Sequence, residues 1–470
     1  MNYDPRAFKE QSREALADPG LKMALARLKT HFALGRAKAV ARYPGDWEEL
    51  REQGRAIRDY AITHLDTLLE AFERNVIAQG GKVHWARDAA EARWIVLEIL
   101  REANARTVIK GKSMVSEEIG LNPFLEANGI APVETDLGEY IVQLRHEPPS
   151  HIIAPAFHLN KEDVADTFRT AHAELDPRRP LVERTELVGE ARRVLRAQFE
   201  SADAGITGAN FLTAQEGAAI LVTNEGNGDL SRLLPRTHIV VTGIEKVVAD
   251  LDDAAVLLRL LTRSATGQDI SSYVTVMRGP RRADENDGPQ SFHVVLVDNG
   301  RSKLIGTEAE DTLRCIRCAA CLNHCPVYAA IGGHAYGATY TGPIGAALDP
   351  ALLGIAAAHH LPNASTFCGR CAEVCPVKIP LPKIMRYWRA REYTSGLAPK
   401  ANVKGLSLWA YAAKRPKLYR TLASMAARVL HNIARDGRVR SLPLLRGWFA
   451  VRDFPAPQGK TFTQLWRERT

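Results

Sequence analysis

The sequence predicts an α/β domain with a largely parallel sheet, preceded by a helical arm and followed by a mostly helical C-terminal part. From about residue 80 to residue 300, apolar runs of strand length alternate with helical stretches such as 161–174 and 180–202, a pattern typical of α/β folds. Residues 1–75 instead carry apolar residues at helical spacing. The candidate strands are Thr107–Lys110, His151–Ala154, Ala218–Thr223, His238–Thr242, Tyr273–Val276 and Phe292–Val297.

The predicted arm has two amphipathic segments, 21–34 and 61–76. Between them, Asp46 precedes Trp47, Glu48 and Glu49. An aspartate followed by acidic residues in the first turn predicts the start of a helix, because the helix dipole favours negative charge there. Both packing on the rest of the chain and docking of a partner are compatible with such an arm.

Composition indicates an ordinary soluble protein of about three domains, with 470 residues, 46% hydrophobic and 25% charged. No apolar run approaches the roughly 18 residues of a membrane helix, and the best candidate, 352–358, is far too short. The first residues show no apolar signal segment. We therefore expect a cytoplasmic protein that does not span a membrane.

Two glycine motifs in the α/β region resemble nucleotide-binding loops but are incomplete. Gly111-Lys112-Ser113 follows a strand, yet the first glycine that a P-loop requires is replaced by Arg106. Gly226-Asn227-Gly228 also follows a strand, but Ser231 stands at the third glycine of the dinucleotide fingerprint and Pro235 closes the segment. Neither motif predicts a nucleotide site.

Polar and glycine residues cluster where the predicted strands end. In open α/β sheets such ends face the binding crevice, so a pocket is expected, although solvent-facing loops carry the same residue types. The residues are Lys110, Lys112, Ser113, Glu117, Glu139, Thr207, Gly208, Asn210, Glu216, Asn224, Glu225 and Gly226.

All seven cysteines lie in two runs that predict iron-sulfur chemistry. The first, from Cys315 to Pro326, has the pattern C-x2-C-x2-C-x3-C-P, and the second, from Cys368 to Pro376, has the pattern C-x2-C-x3-C-P. In two-cluster ferredoxins the first pattern places three thiolates on one cluster and the fourth on the other. The cluster ligands predicted by this rule are Cys315, Cys318, Cys321 and Cys375 for the first cluster, and Cys325, Cys368 and Cys371 for the second.

The second cluster therefore lacks one cysteine. Alignment of the two runs places Ser365 where an eighth cysteine would stand. The iron atom that this cysteine would bind is expected to be absent, which gives a three-iron cluster, or to be bound by water, a hydroxyl, a substrate or a partner's side chain. Ser365 can also be interpreted as a simple polar loop residue, because a serine oxygen is a poor ligand for the iron of an iron-sulfur cluster. His324, His359 and His360 are interpreted as neighbouring or surface groups.

Zinc and disulfides are the competing interpretations of the cysteines. Structural zinc takes ligands in fours, which seven interleaved cysteines do not provide. Disulfides require an oxidising compartment. Two iron-sulfur clusters, both [4Fe-4S] with the second able to become [3Fe-4S] on oxidation, fit the spacing best.

Several segments together resemble the lactate utilization protein B family over nearly the whole chain. Besides the two cysteine runs, they are Lys112–Asn122, Glu134–Ile141, Gly205–Asn210, Gly332–Gly337 and Pro343–Gly345. The resemblance implies a lactate-utilization (LUD) domain, similar in fold to sugar-phosphate isomerases and CoA transferases, fused to a two-cluster ferredoxin-like domain. It implies the same cysteine ligands, and two sister subunits: a cysteine-rich iron-sulfur protein and a second LUD-domain protein.

Four domains are predicted on this basis. They are a helical arm (1–75), the α/β LUD domain (76–304), a mostly α-helical two-cluster ferredoxin-like domain (305–395) with a helix at 351–359, and a basic helical C-terminal region (396–470). Between Lys400 and Arg452 a dozen Lys and Arg accompany one acid, Asp436. An apolar stripe from Leu406 to Val429 predicts an amphipathic helix. Residues 454–457 and 462–466 are expected to form an extended tail anchored by aromatic residues.

The expected function is electron transfer through two clusters in a complex that oxidises L-lactate to pyruvate, as the resemblance implies. No flavin site is visible. The alternatives are a subunit that binds the substrate in the LUD pocket, and an iron-sulfur redox sensor that uses its basic tail on nucleic acid. We expect no nucleic acid partner. The amphipathic tail is expected to pack on the protein, with contact to an anionic inner membrane face or to an acidic partner as the alternatives.

Overall fold

A computed structural model describes residues 4–176, 178–442, 449 and 452–469. The chain forms two compact units, Met1–Glu392 and Tyr393–Thr470. The first unit contains both cysteine runs and the α/β sheet, and the second contains the basic region.

The N-terminal segment is mostly helical, with a non-helical connection at 42–46. Asp46 caps a helix as predicted, because its carboxylate accepts hydrogen bonds from the backbone N–H groups of Glu48 and Glu49. The predicted segments 21–34 and 61–76 are each divided, the first by a π-helical stretch at Leu28–Ala33 and the second at His64. The helices are α1 (Phe8–Ala17), α2 (Pro19–Arg27), α3 (Leu34–Ala41), α4 (Trp47–Thr63) and α5 (Leu65–Ala78).

The main sheet has six strands, which pair in the order Lys82–Ala86, Ser291–Val297, Thr237–Gly243, Ala204–Thr207, Thr107–Gly111 and Ala131–Glu134. Every neighbouring pair is parallel. This confirms the predicted parallel sheet. The strands are β1 (Lys82–Ala86), β2 (Thr107–Gly111), β3 (Ala131–Glu134), β4 (Ala204–Thr207), β7 (Thr237–Gly243) and β10 (Ser291–Val297).

Helices cover both faces of this sheet. Ile239 and Val241 of β7 belong to one apolar core and Val240 to another, as expected where successive side chains of a buried strand point to opposite faces. The helices that connect the strands are α6 (Ala89–Glu102), α7 (Met114–Glu118), α8 (Leu121–Ala127), α9 (Leu137–Leu144), α10 (Lys161–Ala171), α11 (Arg184–Ser201), α12 (Asn227–Leu233) and α13 (Leu251–Ala265).

A second sheet was not expected. Its strands pair in the order Val247–Val248, Phe211–Thr213, Ala218–Thr223 and Tyr273–Met277, and the pairs are both parallel and antiparallel. Two strands predicted for the parallel sheet, 218–223 and 273–276, belong to this second sheet instead, where they pair antiparallel with each other. Its strands are β5 (Phe211–Thr213), β6 (Ala218–Thr223), β8 (Val247–Val248) and β9 (Tyr273–Met277).

The predicted strand His151–Ala154 is wrong. The segment forms bends, in which the buried His151 ring accepts hydrogen bonds from the backbone N–H groups of Ile153 and Ala154, both at 3.2 Å. These local bonds occupy donors that a sheet would need. The other ring nitrogen lies 2.9 Å from the side-chain oxygen of Asn323 in the first cysteine run.

The cysteine-bearing part consists of short helices packed into one apolar core. The predicted helix at 351–359 is interrupted, because Gly354 adopts a left-handed φ of 83° between two helices. The helices are α14 (Ala320–Asn323), α15 (Tyr328–Ile331), α16 (Gly342–Leu352), α17 (Ile355–Ala358), α18 (Arg370–Glu373) and α19 (Leu381–Thr394).

The basic unit contains α20 (Lys400–Ala413), α21 (Pro416–Ile433), β11 (Arg438–Val439), β12 (Phe454–Pro455) and α22 (Phe462–Arg467). Residues 462–466, predicted to be extended, are helical, since Thr461 and Gln464 form a capping box. Residues 443–448, 450, 451 and 470 of the predicted basic region lie outside the described residues. Among the helices that the structure describes, none has the length and apolar character needed to cross a membrane.

Candidate iron-sulfur centres

The first candidate centre is a cavity lined by the four thiols assigned to the first cluster. Cys315, Cys318 and Cys321 meet Cys375 of the second run there. The rest of the lining is Arg317 together with apolar residues, namely Ile152, Ile316, Ala319, Ile344, Pro376, Val377, Ile379 and Leu381. A cavity of this composition can hold an anionic, sulfur-ligated group away from water.

Local backbone conformation wraps the first run around this cavity. Arg317 and Ala319 adopt left-handed φ values of 59° and 57°, which turn the chain between successive cysteines. The backbone N–H of Arg317 donates to the sulfur of Cys315 at 3.4 Å, and that of Ile379 donates to Cys375 at 3.4 Å. Such N–H···S bonds stabilise negative charge on sulfur.

The thiols need a metal to become thiolates. Burial raises the pKa of Cys375 to about 11, and burial together with neighbouring thiols raises the pKa of Cys321 well above its usual value. Iron bound to the sulfurs would supply the positive charge that offsets this cost.

The second candidate centre is a cavity lined by Cys325, Cys368 and Cys371. Ser365 also lines it, and its hydroxyl accepts a hydrogen bond from the backbone N–H of Phe367 at 3.1 Å. Cys368 is exposed, and a backbone hydrogen bond from Arg370 lowers the pKa of its thiol. This centre is therefore closer to solvent than the first.

Of the three histidines considered as neighbouring groups, one lines a cysteine cavity. His324 lines the second cavity, with its Nδ1 atom 2.8 Å from the carbonyl oxygen of Ala320. His359 contacts Glu392 at 2.9 Å, and His360 contacts the carbonyl of Pro5 at 2.6 Å. Neither of these two residues lines a cysteine cavity.

The thiols do not converge on a single point. Within the part of the chain that the structure describes, no group of three or more His, Cys, Asp or Glu side chains could hold one metal ion. Ligands of a cluster are each directed at a different iron atom, so they line a cavity instead of meeting. The arrangement thus fits a cluster better than zinc.

A buried ionic network joins the α/β domain to the first cysteine run. Arg301 binds Glu118 at 2.6 Å and Glu245 at 2.7 Å, and Glu245 in turn binds Arg317 at 3.1 Å. Tyr340 donates to Glu118 at 2.7 Å. Sequence reasoning missed this network, because nothing in the spacing of isolated charged residues distinguishes a buried pair from a surface one.

The polar and glycine residues predicted to lie around one pocket at the strand ends do not all line a single cavity. Lys110 binds Glu117 and the unpredicted Glu134, at 2.9 Å and 2.6 Å, while Lys112 pairs with Asp136 and, at 3.2 Å, with Glu225. The remaining members form hydrogen bonds or close contacts within the fold. Ser113 caps α7, Thr207 bonds His238, Asn210 accepts from the Val222 N–H, and Asn224 bonds Gln268. The Gln79 side chain donates to the Glu216 carbonyl, Thr223 donates to the carbonyl of Glu225 next to Gly226, and Gly208 closely approaches Lys112.

Of this set, Glu117 and Glu139 line one cavity of about 150 Å³. The other carboxylates around it are Glu126, Glu134 and Glu147. Burial and the neighbouring Glu134 raise the pKa of Glu139 well above its usual value. The described residues that line this cavity include five carboxyl groups and no Lys or Arg, so they offer no such cation to an anionic substrate.

An α/β domain with a parallel sheet, joined to a helical part whose cysteines line two cavities, defines an iron-sulfur protein of the two-cluster class. Residues 69–297 match the LUD domain family, 311–379 match the 4Fe-4S dicluster domain, and 391–470 match the family "Lactate utilisation protein B, C-terminal". The chain belongs to the lactate utilization protein B family.

Full-length relatives support this assignment. Proteins named "Lactate utilization protein B" from Bacillus licheniformis (strain ATCC 14580) and Bacillus subtilis (strain 168) are each 42% identical, and one from Geobacillus sp. (strain WCH70) is 43% identical. Each comparison covers 100% of this chain and 98% of the relative. Together with the dicluster domain, this indicates an iron-sulfur role in lactate utilization.

Proposed function

We propose that the protein is the electron-transfer subunit of a complex that oxidises L-lactate to pyruvate. The observation that carries this proposal is the grouping of thiols from two distant cysteine runs around two cavities in one apolar core. Bound [4Fe-4S] clusters each accept and release one electron. The name shared by the relatives supports lactate as the substrate of the whole system.

The ligand assignment is part of the proposal. Cys315, Cys318, Cys321 and Cys375 hold the first cluster, and Cys325, Cys368 and Cys371 hold the second. With three thiolates, the second cluster loses its unprotected iron on oxidation and becomes [3Fe-4S]. The domain limits 1–75, 76–304, 305–395 and 396–470 belong to the same proposal.

Oxidation of the 2-hydroxy acid itself is assigned to partner chains. Two one-electron clusters do not accept a hydride, and the cavity lined by Glu117, Glu134 and Glu139 contains, among the described residues, no Lys or Arg that would bind the carboxylate of the substrate. We assign this step to the sister subunits, a cysteine-rich iron-sulfur protein and a second LUD-domain protein. This chain then binds and shields the clusters and passes electrons onward.

Lactate should reduce the clusters only when the partners are present. The anaerobically purified complex is mixed with L-lactate, and electron paramagnetic resonance follows the clusters of this chain. We expect reduction in the complex and none in the isolated chain, whose clusters dithionite still reduces. If lactate leaves the clusters oxidised in a complex that nevertheless forms pyruvate, the electron-transfer role is wrong.

The basic unit contacts an anionic membrane face in this proposal. Residues 393–470 contain 15 Lys and Arg and three acids, a formal charge of +12, whereas residues 1–392 contain 47 and 51, or −4. Helix α21 exposes a stripe of Leu422, Met425, Val429 and Ile433, spaced at helical intervals. Exposed apolar side chains within a strongly cationic unit are typical of helices that lie on anionic lipid.

Replacing the exposed stripe should weaken vesicle binding. We expect the full-length variant Leu422→Ser/Met425→Ser/Val429→Ser to bind anionic vesicles about ten-fold or more weakly, because three apolar side chains no longer enter the lipid. Co-sedimentation measures the binding. The control carries Leu16→Ser, Ile77→Ser and Val188→Ser, which are comparably exposed in the other unit. Equal binding of variant and control, or loss of sister-subunit binding alone, would exclude the membrane proposal.

A further inference from the structure

Buried cations without carboxylate partners surround the first candidate centre. Arg36, Arg58 and Lys246 are at most 8% exposed, and across residues 4–176 and 178–442 no acidic side chain forms an ion pair with any of them. A buried cation without an anion is costly. Arg36 and Arg58 also contact the backbone near Cys375 and Cys315, so they point to an anionic group in the first cavity.

Their contacts lead directly to the cysteine-bearing segments. Arg36 donates to the carbonyl of Val374, next to Cys375, at 3.0 Å. Arg58 donates to the carbonyl of Leu313, two residues before Cys315, at 2.9 Å. The Nε atoms of Arg36 and Arg58 are buried and have no hydrogen-bond partner among the described residues. Neither guanidinium is fully satisfied by the protein itself.

Two further cations complete this group. Arg51 donates to the carbonyl of Cys375 at 2.8 Å and 3.1 Å, while its acidic partner, Glu48, is 61% exposed. Arg317 lies between Cys315 and Cys318 in the sequence, with its guanidinium 4.4 Å from the ring centre of Tyr340.

The nearby acids do not neutralise this charge. Glu118 and Glu245 are matched by Arg301 and Arg317 within the ionic network. Arg36, Arg58 and Lys246 therefore remain in excess. Burial, followed by repulsion from Arg317, lowers the pKa of Lys246 to about 7, and the neighbouring Glu245 offsets this shift only in part.

Among the described residues, the one Lys or Arg that lines the second cavity is exposed. Cys368 is exposed, and the cation beside it, Arg370, is 46% exposed and paired with Glu373. Arg386 and Arg389, which lie over the ring of Phe367, are also exposed. Solvent and salt screen such charges far more than buried ones.

We propose that Arg36, Arg51, Arg58 and Arg317 form a cationic shell that makes the first cluster the higher-potential member of the pair. The inference depends on the proposed function, since it requires both cavities to hold clusters. Reduction adds one negative charge to a cluster, and buried cations stabilise that charge. One electron leaves the second cluster, which is oxidised, and reduces the first, where it remains until the acceptor takes it.

Removing the charge should lower the potential of the first cluster. The full-length chain carrying Arg36→Met or Arg58→Met is loaded anaerobically, its iron and sulfide are counted, and each cluster is titrated by electron paramagnetic resonance. We expect the reduction constant of the first cluster to fall at least ten-fold, or about 59 mV for one electron. Arg36→Lys and Arg58→Lys retain the charge and should retain most of the potential. Cys325→Ser identifies the signal of the second cluster.

The exposed Arg370→Met is the control and should shift the potential of the first cluster much less. Equal shifts from the Lys and Met variants would show a packing effect and overturn the inference. Reduction of the second cluster before the first in the unaltered protein would overturn it even if the Met variants do not fold. Absence of clusters in the unaltered protein would instead contradict the proposed function.

Discussion

Cys375→Ser is expected to perturb the first cluster and Cys325→Ser the second, with loss of about half of the bound iron in each variant. The reason is the crossed placement of the thiols. Cys375 lines the cavity of Cys315, although it lies only four residues after Cys371, which lines the other cavity. Iron and sulfide content and the spectrum of each cluster measure the effect.

Cys371→Ser is the matched control, because it changes a neighbouring cysteine in the same run but should affect the second cluster. Preservation of the first cluster in Cys375→Ser, with a change confined to the second, would contradict the crossed arrangement. The separately expressed halves, divided near Gly345, are expected to bind no cluster, since each cavity takes thiols from both runs.

Arg301→Met should destabilise the protein by about 3–5 kcal/mol at neutral pH, because two buried carboxylates lose their shared partner. Burial alone would raise the pKa of Glu245, but Arg301 and Arg317 lower it to about 2. The pKa of Glu118 is also lowered, mainly by Arg301 against the effect of burial. Denaturant unfolding of the variant and the unaltered protein measures the difference.

The stability difference between Arg301→Met and the unaltered protein should depend on pH. A depressed folded-state pKa contributes stability above the unfolded value of about 4.5, and this contribution is lost as pH falls toward 2. Without Arg301 the carboxylates gain by taking up protons, so the deficit of the variant should shrink as pH falls below about 4.5. Arg87→Met, which removes an exposed partner of Glu91, should leave the unfolding midpoint unchanged. A deficit that is independent of pH would contradict the electrostatic explanation.

Much of the fold is predictable because its signals are local. The apolar runs at 107–110, 238–242 and 292–297 coincide with strands of the parallel sheet, since a strand buried on both faces needs apolar residues throughout. The strand Ala131–Glu134 was missed because it is short and contains Pro132, a residue that weakens a strand pattern. Residues 218–223 were placed in the wrong sheet, because strand pairing depends on distant partners that a single segment does not reveal.

The sequence by itself determined the two cysteine runs, their spacing and the α/β character of the preceding domain, because short spacings and apolar periodicity are properties of neighbouring residues. Only the tertiary structure decided which charges are buried. The sequence around Arg58 has the pattern of a charged surface helix. The Arg58 guanidinium nevertheless donates hydrogen bonds to carbonyl groups that are 187 to 255 residues distant in the sequence. Burial and Coulomb interactions depend on distance in space, so the cations around the first candidate centre emerge only when the arm, the sheet and the cysteine runs are packed together.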